Sequence, residues 1–204
     1  MIDTVIVGPL STCCYIVSGD LDPAKALVID PGDDAPRILS ALGSRKIAAV
    51  LLTHGHFDHT GALSAFPDAA VYLGRKDLAM LNDPALNVGG MAGDRRPRTA
   101  VPTPLDGGEE LRFDGFSAPV QVIAVPGHTP GGMAFLMGDA LFSGDTLFRR
   151  GCGRTDFPGG SEKELRMSLR RLLSIPGDPK VYPGHMGVTA LSEERRFWND
   201  GGVE

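Results

Sequence analysis

At 204 residues, 42% hydrophobic and 22% charged, the chain has the size and composition of one soluble globular domain spanning 1–204. A net charge of −5 argues against nucleic acid as a partner, and the apolar runs are too short to cross a membrane. No basic stretch precedes an apolar one at the start, and Cys13, Cys14 and Cys152 make no disulfide framework, so a cytoplasmic location is expected.

In chain order, residues 2–8 and 14–18 read as strands of a hairpin that turns near Gly8-Pro9. Residues 26–30 form a third apolar strand, ended by Pro31-Gly32. Asp33 or Asp34 is placed to cap a helix reaching about residue 42, with Pro36 in its first turn. Ile38, Leu39 and Leu42 share a face of that helix, and Gly43 ends it. Residues 46–52 are an apolar run with β-branched members, the pattern of a buried strand. This strand stops at Thr53-His54-Gly55-His56-Phe57-Asp58-His59-Thr60-Gly61, where three imidazoles and a carboxylate fall within six residues.

Residues 59–66 read as a short helix, 71–73 as a strand and 75–81 as a further helix. Residues 82–106 have little periodicity and carry Arg95-Arg96-Pro97-Arg98. Such a stretch suits a lid or a substrate wall, its arginines either meeting an anionic substrate or standing as solvated surface charge. Strands are expected at 109–113, 120–125, 133–137, 140–143 and 180–182. Ser161-x-x-Glu164 is a capping box that opens a helix to about Ser174, with Leu165, Leu169, Leu172 and Leu173 on one stripe. A last helix is expected from about 191 to 198.

The two remaining histidines repeat the pattern of the first three. His128 stands in Pro-Gly-His-Thr-Pro-Gly-Gly after the 120–125 strand, and His185 ends Tyr-Pro-Gly-His after the 180–182 strand. Asp145 follows the 140–143 strand in Ser-Gly-Asp-Thr-Leu-Phe. In layered α/β structures ligands gather at that carboxyl edge of the sheet. His54, His56, Asp58, His59, His128, Asp145 and His185 make seven candidate metal ligands. A catalytic zinc takes three protein ligands and leaves one position for water, so two ions need six, and a seventh carboxylate can bridge them. The count fits two divalent ions per chain. Zinc is favoured, with iron or manganese as alternatives.

The four motifs, in this order, resemble those of the metallo-β-lactamase superfamily, and within it the glyoxalase II branch of hydroxyacylglutathione hydrolases and their shorter bacterial relatives. The resemblance implies an α/β fold, a four-layer αββα sandwich with metals at one edge of the sheets. It places His54, His56 and His128 on the first metal and Asp58, His59 and His185 on the second, with Asp145 bridging. Asp58 and Asp145 are then the catalytic carboxylates, chiefly as ligands. The implied reaction is hydrolysis of a small-molecule thioester such as a hydroxyacylglutathione, by attack of a metal-bound hydroxide. Arg154, in Gly-Cys-Gly-Arg-Thr-Asp-Phe, stands where those enzymes carry a Lys that meets glutathione, so it is expected to bind substrate; the alternative is that it only pairs with Asp156. The longer enzymes have a helical C-terminal domain, for which no room is expected after His185. Persulfide dioxygenases of the same superfamily share the Gly-Cys-Gly-Arg-Thr-Asp-Phe run. In them the residues matching His54, His128 and Asp145 hold a single iron, whereas Gly55 and Phe57 are more like the hydrolases.

Overall fold

The structure, a computed structural model, describes residues 1–201. Two six-stranded sheets are each built in chain order. The first comprises β1 (Ile2–Val7), β2 (Thr12–Ser18), β3 (Lys25–Ile29), β4 (Lys46–Leu51), β5 (Val71–Gly74) and β6 (Thr103–Leu105). Its first three strands are antiparallel, and β3 to β6 run parallel. The second comprises β7 (Glu110–Leu111), β8 (Val120–Ala124), β9 (Met133–Met137), β10 (Ala140–Gly144), β11 (Lys180–Pro183) and β12 (Thr189–Ala190). Its strands alternate in direction except for the parallel pair β10 and β11. The α-helices of the described residues are α1 (Ala35–Leu42), α2 (Phe57–Thr60), α3 (Gly89–Ala92), α4 (Glu162–Leu173) and α5 (Leu191–Gly201), with 3-10 helices at Leu63–Ala65 and Arg75–Asn82.

Period-two alternation explains the layers, because successive side chains of a strand face opposite sides. Cys13, Tyr15 and Val17 of β2 and Leu27 and Ile29 of β3 face Met133, Phe135, Ala140 and Phe142 of the second sheet, forming the central core. Cys14, Ile16, Ala26 and Val28 point the other way and pack with Ile38 and Leu42 of α1. Ala134, Leu141 and Val181 leave the far side of the second sheet and pack with Leu165, Leu169 and Leu172 of α4 and Leu191 of α5. Three cores between helices, sheet, sheet and helices are the expected four-layer αββα sandwich. Among the described residues, no helix is long and apolar enough to cross a membrane.

Several local expectations change. Neither Asp33 nor Asp34 caps α1 through its side chain. Asp34 takes the N-cap position in a left-handed conformation, and its carboxylate accepts from the Gly8 N–H instead. Leu39 is exposed, because Ile38 and Leu42, four apart, define the face that meets the sheet. No continuous helix spans 59–66: the Ala62 N–H bonds the Pro31 carbonyl rather than the preceding turn, and α2 ends at Thr60. The 75–81 helix is a 3-10 helix, and the strand expected at 109–113 pairs only at Glu110–Leu111. The capping box forms as expected, with the Ser161 hydroxyl accepting from the Glu164 N–H.

The carboxyl ends of β3, β4, β8, β10 and β11 lie at one edge. Backbone bonds stitch the loops there: Met133 N to Thr53 O, Gly184 N to Gly144 O, and Cys13 N to Gly184 O. Each of the seven candidate ligands follows one of these strands.

Candidate metal centre

Which nitrogen of each imidazole faces inward is decided by what the other nitrogen bonds. The Asp30 carboxylate accepts from the Thr53 N–H at 2.7 Å and from the Thr53 hydroxyl at 2.6 Å. With its own hydrogen committed to Asp30, the Thr53 oxygen can only accept from His54 Nδ1, 3.1 Å away. Asp30 also takes the Nδ1 hydrogen of His59 at 2.9 Å. His128 Nδ1 donates to the Arg154 carbonyl at 2.7 Å, and His185 Nδ1 donates to the Leu10 carbonyl at 3.1 Å. Four rings therefore turn Nε2 toward a common space. His56 is the exception and faces His128 Nε2 through Nδ1, at 2.9 Å.

The inward atoms form three overlapping groups: His54, His56 and His128; His54, His59 and Asp145; and Asp58, His59 and His185. Within each group the ligand atoms all lie within 4.8 Å of one another. Asp145 reaches both ends of the cluster. Its carboxylate lies 3.6 Å from His128 Nε2, 3.4 Å from His59 Nε2 and 3.4 Å from His185 Nε2. Asp58 Oδ2 lies 3.5 Å from His59 Nε2 and 3.3 Å from His185 Nε2, and the same oxygen accepts from the Thr12 hydroxyl at 2.8 Å.

The nitrogens His54 Nε2 and His59 Nε2 and the Asp145 Oδ1 oxygen are buried with no hydrogen-bond partner. Buried polar atoms are nearly always satisfied, so converging bare lone pairs are costly unless a cation meets them. The donor set of imidazole nitrogens and carboxylate oxygens suits zinc, iron or manganese. The residues fit metal ions.

The electrostatics divide the rings. Burial, reinforced by the neighbouring His128, holds His56 down at about 3, and burial with the surrounding rings holds His54 well below the usual imidazole value. For His59 and His185 burial works in the same direction but is outweighed. Asp58, Asp145 and Asp30 lift His59 to about 9, and Asp145 and Asp58 lift His185 to about 11. Burial would raise both ligand carboxylates, yet His59 and His185 draw Asp58 and Asp145 below the ordinary carboxylate range. His54 and His56 are thus held neutral, while His59 and His185 stand among carboxylates.

The arginines take other places. The Arg154 guanidinium is exposed, pairs with the Asp156 carboxylate and stacks 4.2 Å from the Phe157 ring centroid. Its backbone carbonyl is what reaches the centre, orienting His128. Arg96 pairs with Asp33 and Asp94. Arg98 is 2% exposed, pairs with Asp94 and donates to the Thr60 hydroxyl and the Phe57 carbonyl. Arg98 thus binds the 82–106 stretch to the chain that carries Asp58 and His59, while Arg96 ties it to Asp33 before α1. Sequence reasoning missed Asp30, Thr53, Thr12 and Asp77, which hold the ligands or their loops. Thr53 stood inside the histidine motif, directly past an apolar strand, and Asp30 closed another; Thr12 and Asp77 carried no signal.

The profile of the metallo-beta-lactamase superfamily matches residues 7–185. A probable metallo-hydrolase of Bacillus subtilis is 35% identical, over 93% of this chain and 92% of its own length. A hydroxyacylglutathione hydrolase of a Shewanella species is 36% identical over 78% of this chain, and the match spans 56% of that enzyme. Among solved structures, the BLEG-1 B3 metallo-beta-lactamase superposes with a TM-score of 0.89 at 33% identity, covering 96% of this chain and 97% of that one. TTHA1623, in a di-iron-bound form, gives 0.84 at 38% identity, with 96% and 98% covered. ETHE1 from Myxococcus xanthus gives 0.78 at 29% identity, with 97% and 82% covered. The match over most of the chain agrees with the sandwich and with the histidine and aspartate cluster at its edge: this protein belongs to the metallo-β-lactamase superfamily.

Proposed function

We propose that the chain is a binuclear metallohydrolase of the glyoxalase II kind, cleaving a small-molecule thioester, with a hydroxyacylglutathione as the candidate substrate. His54, His56 and His128 would hold one ion, Asp58, His59 and His185 the other, and Asp145 would bridge them. Zinc is favoured, with iron or manganese as alternatives. The observation that carries this reading is the reach of the Asp145 carboxylate, within 3.6 Å of His128 and 3.4 Å of both His59 and His185. When bound, such ions supply Lewis acidity toward a carbonyl oxygen and a water acidic enough to ionise near neutral pH.

The rest is the work of the chain's own side chains. The outer bonds of His54, His59, His128 and His185 aim their inner nitrogens at the centre and keep their rings fixed, so little reorganisation is left for the reaction. Thr12 fixes the Asp58 carboxylate. A thiolate leaves without a strong general acid. Arg154 would reach an acidic carrier by exchanging Asp156 for the substrate's carboxylate.

The test is metal analysis of protein purified anaerobically without chelator, with assays on a glutathione thioester and a glutathione persulfide. Two ions per chain and thioester hydrolysis are expected. Saturation at one iron, with oxygen consumed on the persulfide, would replace this reading with that of a mononuclear dioxygenase using His54, His128 and Asp145.

A further inference from the structure

The 3-10 helix Arg75–Asn82 contains a carboxylate that the proposed reaction does not use. Asp77 is fully buried. It accepts from the Gly55 N–H at 3.1 Å, the Thr129 hydroxyl at 2.7 Å and the Gly131 N–H at 2.6 Å. Gly55 lies between His54 and His56, while Thr129 and Gly131 lie one and three residues beyond His128. One side chain therefore ties the two loops that carry the first trio, and none of its hydrogen bonds goes to the loops of Asp145 or His185.

The approach is at backbone contact. A Cβ on Gly55 would stand 2.7 Å from Met80 Cβ, and one on Gly131 would stand 2.6 Å from Asp77 Oδ1. One on Gly74 would stand 1.9 Å from the Gly131 carbonyl oxygen. The glycines let the 3-10 helix sit against both loops, and the carboxylate then fixes their separation. Three donors on two oxygens offset part of the cost of burying its charge.

We propose that Asp77 is the positioning residue of the first trio, setting the spacing of His54 and His56 against His128 and so the metal affinity of that site in particular. The inference rests on the reading of the trio as a metal site. It also explains the residue type. Both backbone partners can only donate, so each oxygen must accept. In Asp77→Asn the amide nitrogen would face the Gly131 N–H in one orientation and the Gly55 N–H in the other.

The experiment isolates each site. His185→Ala weakens the second site and leaves the first trio intact, and His56→Ala does the reverse. Asp77→Asn and Thr129→Val are placed in each background and titrated with zinc and with cobalt(II) against a competing chelator. In the His185→Ala background, Asp77→Asn should weaken binding by about tenfold, the low end of what losing a direct outer partner of a ligand costs, because Asp77 bonds the neighbours of the ligands rather than the ligands. Its cobalt(II) ligand-field spectrum should shift, and Thr129→Val should act in the same direction but less. In the His56→Ala background both variants should bind as their parent does. Equal losses at both sites, or a lowered melting temperature with unchanged affinity, would make Asp77 a general structural residue and overturn the proposal. If Asp77→Asn does not fold, parental affinity in Thr129→Val overturns it instead. Failure of the His185→Ala parent itself to bind metal would refute the metal reading of the trio, a distinguishable outcome.

Discussion

Asp30→Asn tests whether outer hydrogen bonds set the state of the rings. Asp30 is 2% exposed and sits in a left-handed backbone conformation with φ 50°. One of its oxygens accepts from the Thr53 N–H; the other accepts from the Thr53 hydroxyl and from His59 Nδ1. Asparagine keeps the shape, but its NH2 group must replace one oxygen. Facing the Thr53 N–H, it opposes a donor that cannot accept. Facing His59 Nδ1, it donates, and His59 then carries its hydrogen on Nε2, aimed at the proposed second ion. Either orientation loses a bond to a charged group, worth about 1.5–3 kcal/mol. At about 1.4 kcal/mol per tenfold, that is roughly 10- to 150-fold in metal affinity. The loss should fall mainly on the site of Asp58, His59 and His185, because the Thr53 hydroxyl can rotate to relieve His54. Chelator-competition titration gives the affinities, and far-UV circular dichroism checks the fold. Wild-type affinity at both sites in a folded Asp30→Asn protein would refute the tautomer argument.

Asp145→Ala should lower affinity at both sites together, whereas His185→Ala should weaken mainly the second; metal analysis after dialysis separates them, and selective loss of one ion in Asp145→Ala would show that it does not bridge. Gly184→Ala should abolish activity and lower metal content, since its Cβ would stand 2.2 Å from Asp145 Oδ1 and 2.6 Å from His59 Cε1; an active, metal-replete variant would mean that this loop yields easily. Arg154→Ala should raise KM for an acidic thioester by a few-fold to about tenfold and do less to a neutral one, while Asp156→Ala, which frees the guanidinium, should lower KM for the acidic substrate. Equal effects on both substrates would assign the pair to loop structure.

How far the sequence reached depended on the length scale of each interaction. The sandwich was legible through the resemblance that the four motifs carry, not through alternation, since β2, β3 and β10 are buried on both faces; the ligands were legible because each motif follows an apolar strand. Helix type and helix ends were less legible. The hydrogen bond that ends the helix expected over 59–66 goes to the Pro31 carbonyl, distant in sequence and invisible to local pattern. Asp77 was hidden for the same reason, since its partners lie 22, 52 and 54 residues away, beyond any local pattern.

The 82–106 stretch shows the limit most clearly. A run of three arginines in four residues reads either as solvated charge or as an anion receptor, and a buried arginine is rare enough to be discounted. Yet Arg98 is 2% exposed, because Asp94 supplies its counter-charge and the Phe57 carbonyl and Thr60 hydroxyl take further donors. Those two acceptors belong to the first and last residues of α2, which carries Asp58 and His59 between them. A helix of four residues has too few internal bonds to hold itself. The arginine therefore supplies from outside what the helix lacks, and the stretch that looked like a substrate wall is, through Arg98, part of the support for the second trio.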